Sequence, residues 1–464
     1  MRHEERASKG EVNHSAKVPQ GGRGIFPLAP RASGGEGRGE GVTPRSLWAA
    51  TAEEPAPATP PLDDEAKADV AIIGGGFTGL SAALHLAEAG TDTLVLEAEE
   101  PGFGASGRNG GQVIPGLKHD PDALIAMFGP EQGGRINEIA GGAAGFVFDL
   151  IQRHGIGCAP VRNGWIQGVH AASKLDLARR RVEQWSRCGA PVRFLDRGEI
   201  AELTGTEAYC GGWLDGRGGM IQPLSYARGL ARAAIAAGAR LHGRSPAVRL
   251  TREGPHWRIE TPDGAVAADR VLICTNGYTD DLWPHLKRSI VPVNSFQVAS
   301  RPLSDNLCAT VLPGGQPVSD TRRLLLYFRL DPAGRLMMGG RGSPRGETRA
   351  ERYRRLCRAA RRLFPQLDEI DWEFFWSGKV ALTADHLPHI HEPAPGVTAA
   401  LGYSGRGVAM ASRMGRLLSD HVLGAPPEAL GLPITRIEPL PFWSLRQPAL
   451  AALIGWYQLR DWLD

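Results

Sequence analysis

Apolar residues along the chain alternate between short unbroken runs and stripes at helical spacing. Val70-Ala71-Ile72-Ile73 is an unbroken run, the pattern of a strand covered on both faces. Leu80, Ala83, Leu84 and Ala87 follow at the spacing of one helix face, Gly90 supplies a stop, and Thr93-Leu94-Val95-Leu96 reads as a second strand. Farther on, Val271-Leu272-Ile273-Cys274, Arg323 to Leu330 and Val397 to Leu401 read as strands. Tyr226 to Ala237, Glu351 to Leu363 and Ala409 to Leu418 read as helices. With both patterns alternating and no internal repeat, the predicted fold class is α/β, a mixed fold with α+β character.

Three stretches stand apart. Residues 1–44 hold 11 apolar residues and 9 glycines without periodicity. Ordering them would cost ~1–2 kcal/mol per residue in backbone entropy with little to bury in return, so a disordered and dispensable tail is expected. Its one apolar stretch, Ile25 to Pro30, is short and broken by proline, unlike a secretory signal, and five glutamates count against a transit peptide. Val42 is a candidate alternative start. Residues 45–67 form a Pro-rich connector with Trp48 as anchor, and the folded body is expected from Asp69. At the other end, Ala449 to Leu463 reads as an aromatic helix (Leu453, Trp456, Tyr457, Leu459, Trp462). With Arg460 its one cation, against Asp461 and Asp464, it is expected to pack on the body, not on a membrane.

Composition narrows the function classes. The 53 basic and 50 acidic residues leave a net charge of +3, which with the lack of a basic, aromatic-laced stripe argues against a nucleic-acid partner. No apolar run reaches the length of a membrane span. The six cysteines are scattered without a Cys-x-x-Cys, as expected of reduced thiols in a cytoplasmic enzyme. His386, His389 and His391 invite a metal reading, but Pro388 and the lack of a nearby cysteine or carboxylate pair favour a structural loop, and no metal is expected. The 60 glycines of the 464 residues are well above the ordinary share and ask where backbone must approach something closely.

Gly74-Gly75-Gly76-Phe77-Thr78-Gly79 answers that question. It follows a strand, opens a helix and has Glu97 at the end of the next strand, 21 residues beyond Gly76. Gly74 permits the tight turn, Gly76 lets backbone N–H groups reach a pyrophosphate with Phe77 and Thr78 in the same turn, and Gly79 lets helix and strand pack closely. The helix N-terminus favours the phosphate charge, and the Glu97 carboxylate accepts from ribose hydroxyls. A merely structural glycine turn would not need this whole context. The motif alone leaves FAD and NAD open. Two further glycine-rich segments, Gly104 to Gln112 and Gly402 to Val408, favour an extended FAD that touches chain-distant segments. Within the second, Gly405, Arg406, Gly407 and Val408 open another helix whose N-terminus suits a ring carbonyl. No second strand–GxGxxG–helix unit occurs, so there is no evident NAD(P) domain, and electrons are expected from an organic substrate.

These residues resemble a family. Asp69–Gln112, Val271–Tyr278 and Asp385–Gly415 resemble the FAD-dependent amine oxidases of the D-amino-acid oxidase superfamily, and the string Gly104 to Gln112 is similar to the pattern of the gamma-glutamylputrescine oxidoreductases. The resemblance covers residues 45–464. It implies a Rossmann-type FAD-binding domain assembled from 68–118, 200–280 and 376–430, a sheet-rich substrate domain from 119–199 and 281–375, and a C-terminal extension, 431–464. It also implies Ser106 by the pyrophosphate, Arg108, Asn109, Gly110, Gly111 and Gln112 by the isoalloxazine, Val248 on the adenine side and Thr275 lining the cleft. Arg108 and Asn109 are the ring-side candidates, and Tyr327 is a candidate pocket wall or else a core aromatic.

Two departures matter. Sarcosine-oxidase-like members carry a substrate-carboxylate lysine where this chain has Ala409, and an oxygen-promoting lysine on a strand that matches Arg335 to Gly339, which has none. The first argues for an amine lacking an α-carboxylate; the second questions oxygen use. Lys379 is a candidate replacement charge or a solvated strand-end lysine. The resulting expectation is an amine oxidoreductase taking a gamma-glutamylputrescine-like or other polyamine substrate, by hydride transfer to flavin N5 and imine hydrolysis, with O2 as acceptor. The rivals are a dehydrogenase of the same fold serving a quinone or carrier, and a non-amine flavoprotein such as one for RNA modification.

Overall fold

The computed structural model describes residues 46–341, 349–367 and 370–463; the expectations for residues 1–44 lie outside them. Among the described residues, strands form one nine-stranded and one eight-stranded sheet, with a two-stranded ribbon beside them.

The first sheet is built on the unbroken apolar runs. Its centre is five parallel strands in the order Val397–Leu401, Ala265–Ile273, Glu65–Ile73, Thr93–Leu96 and Arg240–His242. Val70, Ile72 and Ile73 are at most 5% exposed, as buried parallel strands require. His389–Ala394 and Ile434–Thr435 extend one edge, and the hairpin Arg249–Glu253/His256–Glu260 pairs with Ala265–Ile273. The helix Phe77–Glu88 packs between Gly407–Val422 and Pro223–Ala236. The approach to Gly407–Val422 is very close: a Cβ on Gly415 would stand 2.4 Å from the Thr78 carbonyl oxygen, and Ser81 Oγ donates to Ser412 O at 2.7 Å.

The second sheet runs Trp372–Leu382, Val291–Pro302, Arg335–Arg341, Leu326–Leu330, Val318–Asp320, Trp165–Val169, Gly211–Asp215 and Val192–Leu195. All its pairings are antiparallel except that of Val318–Asp320 with Trp165–Val169. One face is covered by the helix Arg349–Leu363, whose Leu356, Ala360 and Leu363 share a core with Val298, Phe328 and Met338.

Several boundaries differ from those expected. The first strand begins at Glu65, not Asp69, because Glu65 to Ala68 already pair with Ala265 to Ala268. The connector 45–67 is therefore shorter, and it is fastened at Leu47 and Leu62 as well as Trp48, all at most 5% exposed. The helix Pro121–Arg153, placed by the expected boundaries in the substrate domain, buries Ile136, Ala140, Ala144 and Val147 in the core shared with Leu80 and Leu84. Conversely, Gly211–Asp215 and Trp372–Leu382 belong to the second sheet although 200–280 and 376–430 were expected in the FAD domain. The strand expected from Arg323 begins at Leu326. The C-terminal helix spans Arg446–Leu463; Ile454 is buried, whereas Leu453 and Trp456 stay exposed. Among the described residues no helix is long and apolar enough to cross a membrane.

Candidate active site

A cavity of about 490 Å³ opens where the glycine turns of the first sheet meet the second sheet. Its volume lies in the range of small-molecule sites. Its walls include Gly74 to Thr78, Glu97, Ser106, Thr275 and the turn Gly405 to Val408, and, from the second sheet, Ser295, Tyr327, Arg341 and Lys379.

The first glycine turn is built as its spacing predicts. Gly74 has φ +109°, and a Cβ there would meet the Cys274 carbonyl oxygen at 3.0 Å. A Cβ on Gly76 would stand 2.9 Å from Ser106 Oγ, and one on Gly79 would collide with the Gly74 carbonyl oxygen at 2.0 Å. Gly79 therefore packs helix on strand and does not line the cavity. Phe77 N–H donates to Ser106 Oγ (3.0 Å), so the serine stands at the helix N-terminus. Glu97 accepts from Gly75 N–H on Oε2 (2.6 Å) and from Glu99 N–H on Oε1 (3.1 Å). Each oxygen keeps a lone pair for a ribose hydroxyl. Burial raises the Glu97 carboxyl above its ordinary value, while the backbone N–H donors oppose that rise. Thr78 Oγ1 and Tyr403 OH lie 2.6 Å apart and tie this turn to the C-terminal one. Asn276 Oδ1 accepts from Gly402 N–H (2.9 Å), drawing in the segment of Thr275, whose own hydroxyl pairs with that of Thr279.

The segment Arg108 to Gln112 is held by its own polar groups. Asn109 donates from Nδ2 to Ala105 O (3.1 Å) and Ser106 O (2.7 Å) and accepts from Gly111 N–H (2.7 Å), so its amide shapes the loop. Arg108 donates from Nε to Phe103 O (2.8 Å), and its carbonyl accepts from Trp376 Nε1 (3.1 Å) and from Gln297. Trp48 Nε1 donates to Asn109 O at 2.7 Å, so the connector braces this loop directly. Gln112 reaches the second sheet through Val318 O and Phe328 O. Tyr327 sits between glycines: Cβ atoms on Gly110 and Gly339 would lie 2.7 and 2.1 Å from its ring. Its phenol lies 2.9 Å from Ser295 Oγ, and burial pushes its pKa up.

Some expected residues stand elsewhere. Val248 is 55% exposed and does not line the cavity; Pro246 and Ala247 do, because the Val248 N–H is spent pairing with Glu260 O and its side chain turns outward. Gly111 packs against Ile221 O and Arg329 without lining the cavity. Ala409 is fully buried in the helix-side core. His389 and His391 stack with ring centroids 5.5 Å apart, and they pair with Asp385 and with Thr435 O. Sequence reasoning missed Lys118, Arg341 and Ser295, which all line the cavity. Lys118, six residues beyond Gln112, was within reach of inspection but belongs to no motif.

The residues present fit FAD: a turn a Cβ would fill, an acidic group with open lone pairs, and two helix N-termini on one cavity. Comparison with known proteins agrees. The DAO family, FAD dependent oxidoreductases, matches residues 69–421. Over 423 residues the chain is 35% identical to the probable oxidoreductase OrdL of Rhizobium meliloti (strain 1021), spanning 90% of this chain and 98% of the relative. It is 32% identical over 420 residues to the gamma-glutamylputrescine oxidoreductase of Escherichia coli (strain K12), again spanning 90% and 98%. The crystal structure of glycine oxidase from Geobacillus kaustophilus shares the fold, with a TM-score of 0.65 at 24% identity over 78% of this chain and 96% of that one. With the cradle for a dinucleotide, the family match and these relatives in agreement, the chain belongs to the DAO family of FAD-dependent oxidoreductases.

Proposed function

We propose that the chain oxidises the C–N bond of an amine, a gamma-glutamylputrescine-like compound or another polyamine derivative, with O2 as acceptor. The observation that carries this reading is the continuity of one cavity from the Gly74 to Thr78 turn to a pocket walled by Ser295 and Tyr327, which leaves room for an organic substrate beside the cofactor. FAD, when bound, supplies hydride acceptance at N5 from the C–H adjacent to nitrogen, so that the amine leaves as an imine. Net, amine, O2 and water give aldehyde, ammonia and hydrogen peroxide.

The chain's own residues position and desolvate. Asn109 and the Arg108 carbonyl hold the ring-side loop, Trp48 braces it, and Tyr327 and Ser295 bring two hydroxyls to a cavity also lined by Ile114, Trp165 and Leu325. Exclusion of water there favours the neutral amine that the chemistry needs. A second reading, a dehydrogenase serving a quinone or carrier, is favoured by Leu336, Met337 and Met338, which are fully buried and present no charge. Anaerobic mixing of the FAD-loaded protein with a panel of polyamines and amino acids tests the proposal. Bleaching by gamma-glutamylputrescine, with peroxide formed on readmitting air, is expected. Bleaching by none of the amines would end it, and bleaching with reoxidation by quinone but not by O2 would select the second reading.

A further inference from the structure

A second cleft, of about 510 Å³, shares no lining residue with the cofactor cavity. The connector supplies Ala56 to Pro60, and the helix Pro223–Ala236 supplies Arg228. The loops that follow Thr93–Leu96 and Arg240–His242 supply Glu100, Pro101 and Arg244. Three charged side chains thus border the cleft, and among the described residues Arg228, Arg244 and Glu100 make no ion pair. Arg228 donates from Nη1 to the Glu54 carbonyl oxygen (3.3 Å), while the Glu54 carboxylate is taken by Arg232 (3.0 Å). Pro57, Pro60 and Pro101 add apolar ring surface between the charges.

The backbone of this cleft also carries the cradle. Arg244 has φ +49°, a left-handed conformation uncommon for a residue with a side chain and therefore held by its surroundings. Its N–H donates to Glu99 O (2.7 Å), and the next N–H, of Ser245, donates to Glu97 O (2.9 Å). A Cβ on Gly243 would stand 2.7 Å from Thr59 Oγ1 and 2.8 Å from Glu99 O, so the connector and both loops press together there. Glu97, Glu99, Pro246 and Ala247 line the cofactor cavity, whereas Glu100, Pro101 and Arg244 of the same loops line the cleft.

We propose that this cleft binds an acidic α-amino acid and that its occupant slows the release of FAD. Two guanidinium groups match two carboxylates and Glu100 matches the ammonium, so every charge of the ligand meets an opposite one. A neutral amino acid leaves one arginine unanswered, and a plain dicarboxylate leaves Glu100 unanswered. The methylenes between the ligand's charged ends suit the proline rings. A ligand that holds Arg244 fixes the backbone paired with Glu97 and Glu99. By linkage, whatever favours the FAD-bound arrangement of those loops slows FAD loss. The site does not depend on which amine is oxidised.

Isothermal titration of the FAD-loaded protein with L-glutamate, glutarate and L-glutamine tests the site, and flavin fluorescence follows FAD release. L-Glutamate is expected to bind about 10-fold more tightly than either analogue, the worth of one charge-assisted contact. Arg228→Gln and Arg244→Gln, on separate elements, should each weaken it by a similar factor, and Glu100→Gln should erase its advantage over glutarate. FAD release should slow several-fold with L-glutamate present, and in Arg244→Gln it should be indifferent to L-glutamate. Absent binding overturns the proposal. Binding that both arginine variants leave intact also overturns it, because the amino acid then sits elsewhere, as in the cofactor cavity. Binding controlled by Arg228 and Arg244 without any change in FAD release overturns the coupling. Without L-glutamate the three variants should oxidise amines as the parent does, so failure here is separable from failure of the amine reading.

Discussion

Two sets of polar groups in the cavity are built on opposite terms. At the cradle end the polar groups have partners before any ligand arrives: Gly75 N–H with Glu97, Phe77 N–H with Ser106, Thr78 with Tyr403. The basic side chains Lys118, Arg341 and Arg406 line the same cavity, and among the described residues none of the three makes an ion pair. A pre-formed cradle binds its cofactor with little reorganisation, whereas an uncompensated charge cluster makes affinity depend on what the ligand brings. The first set suits a resident group and the second an exchanging one.

The contrast breaks most visibly at Gly79. An alanine there would place its Cβ against the Gly74 carbonyl, and Gly79→Ala should destabilise the protein by about 3 kcal/mol, the upper end for overpacking, and lower its FAD content. Thermal unfolding and the flavin absorbance of the purified variant check this. Glu97→Ala should come next, weakening FAD retention by about 1–3 kcal/mol through lost charge-assisted bonds. Flavin release measured by fluorescence would show it.

Lys118→Met sharpens the comparison because its sign is reversed. Removing a half-buried cation that makes no ion pair among the described residues should raise the stability of the ligand-free protein near neutrality by about 1 kcal/mol. Because the folded-state pKa of Lys118 is lowered, its contribution is intact above the ordinary lysine value. It is lost as pH falls from there through the lowered folded value, and the variant should lack that loss. Denaturant unfolding at several pH values separates the two. The smallest effect belongs to Tyr327→Phe, which gives up one hydroxyl contact with Ser295 and should cost about 1 kcal/mol with FAD content unchanged. A larger drop in amine turnover than in stability would mark Tyr327 as part of the substrate wall.

The same contrast explains what the sequence made legible. The cradle's turn is contiguous, so glycine spacing and the unbroken strands around it were readable; Thr93–Leu96 and Val397–Leu401 have the bounds their apolar runs mark. The helix Pro121–Arg153 was not readable because Gly129, Pro130, Gly133 and Gly134 interrupt it with loop signals, and only burial against the first sheet's helices holds it. Gly129, at φ +80°, is the kink that lets Pro130 sit inside it. The cationic cluster was invisible for a different reason. Lys118 and Arg341 are 223 residues apart and carry no motif, so tertiary structure alone brings them to one cavity with Arg406 of the C-terminal glycine turn. Val248 stands exposed next to the lining residues Pro246 and Ala247, since one residue along an extended segment reverses which face a side chain takes.

The pairing of Val397–Leu401 with Ala265–Ile273 and the seat of Gly407–Val422 on Phe77–Glu88 govern how this chain matures on the ribosome. The helix that covers Phe77–Glu88 is made about 330 residues after the first glycine turn. A nascent chain that ends before Gly407 leaves Leu80 and Leu84 without that cover, a sticky surface of the kind chaperones recognise. Flavin capture is therefore expected only once Gly407–Val422 has been made, and chains that stop before it are expected to emerge without flavin and prone to aggregate.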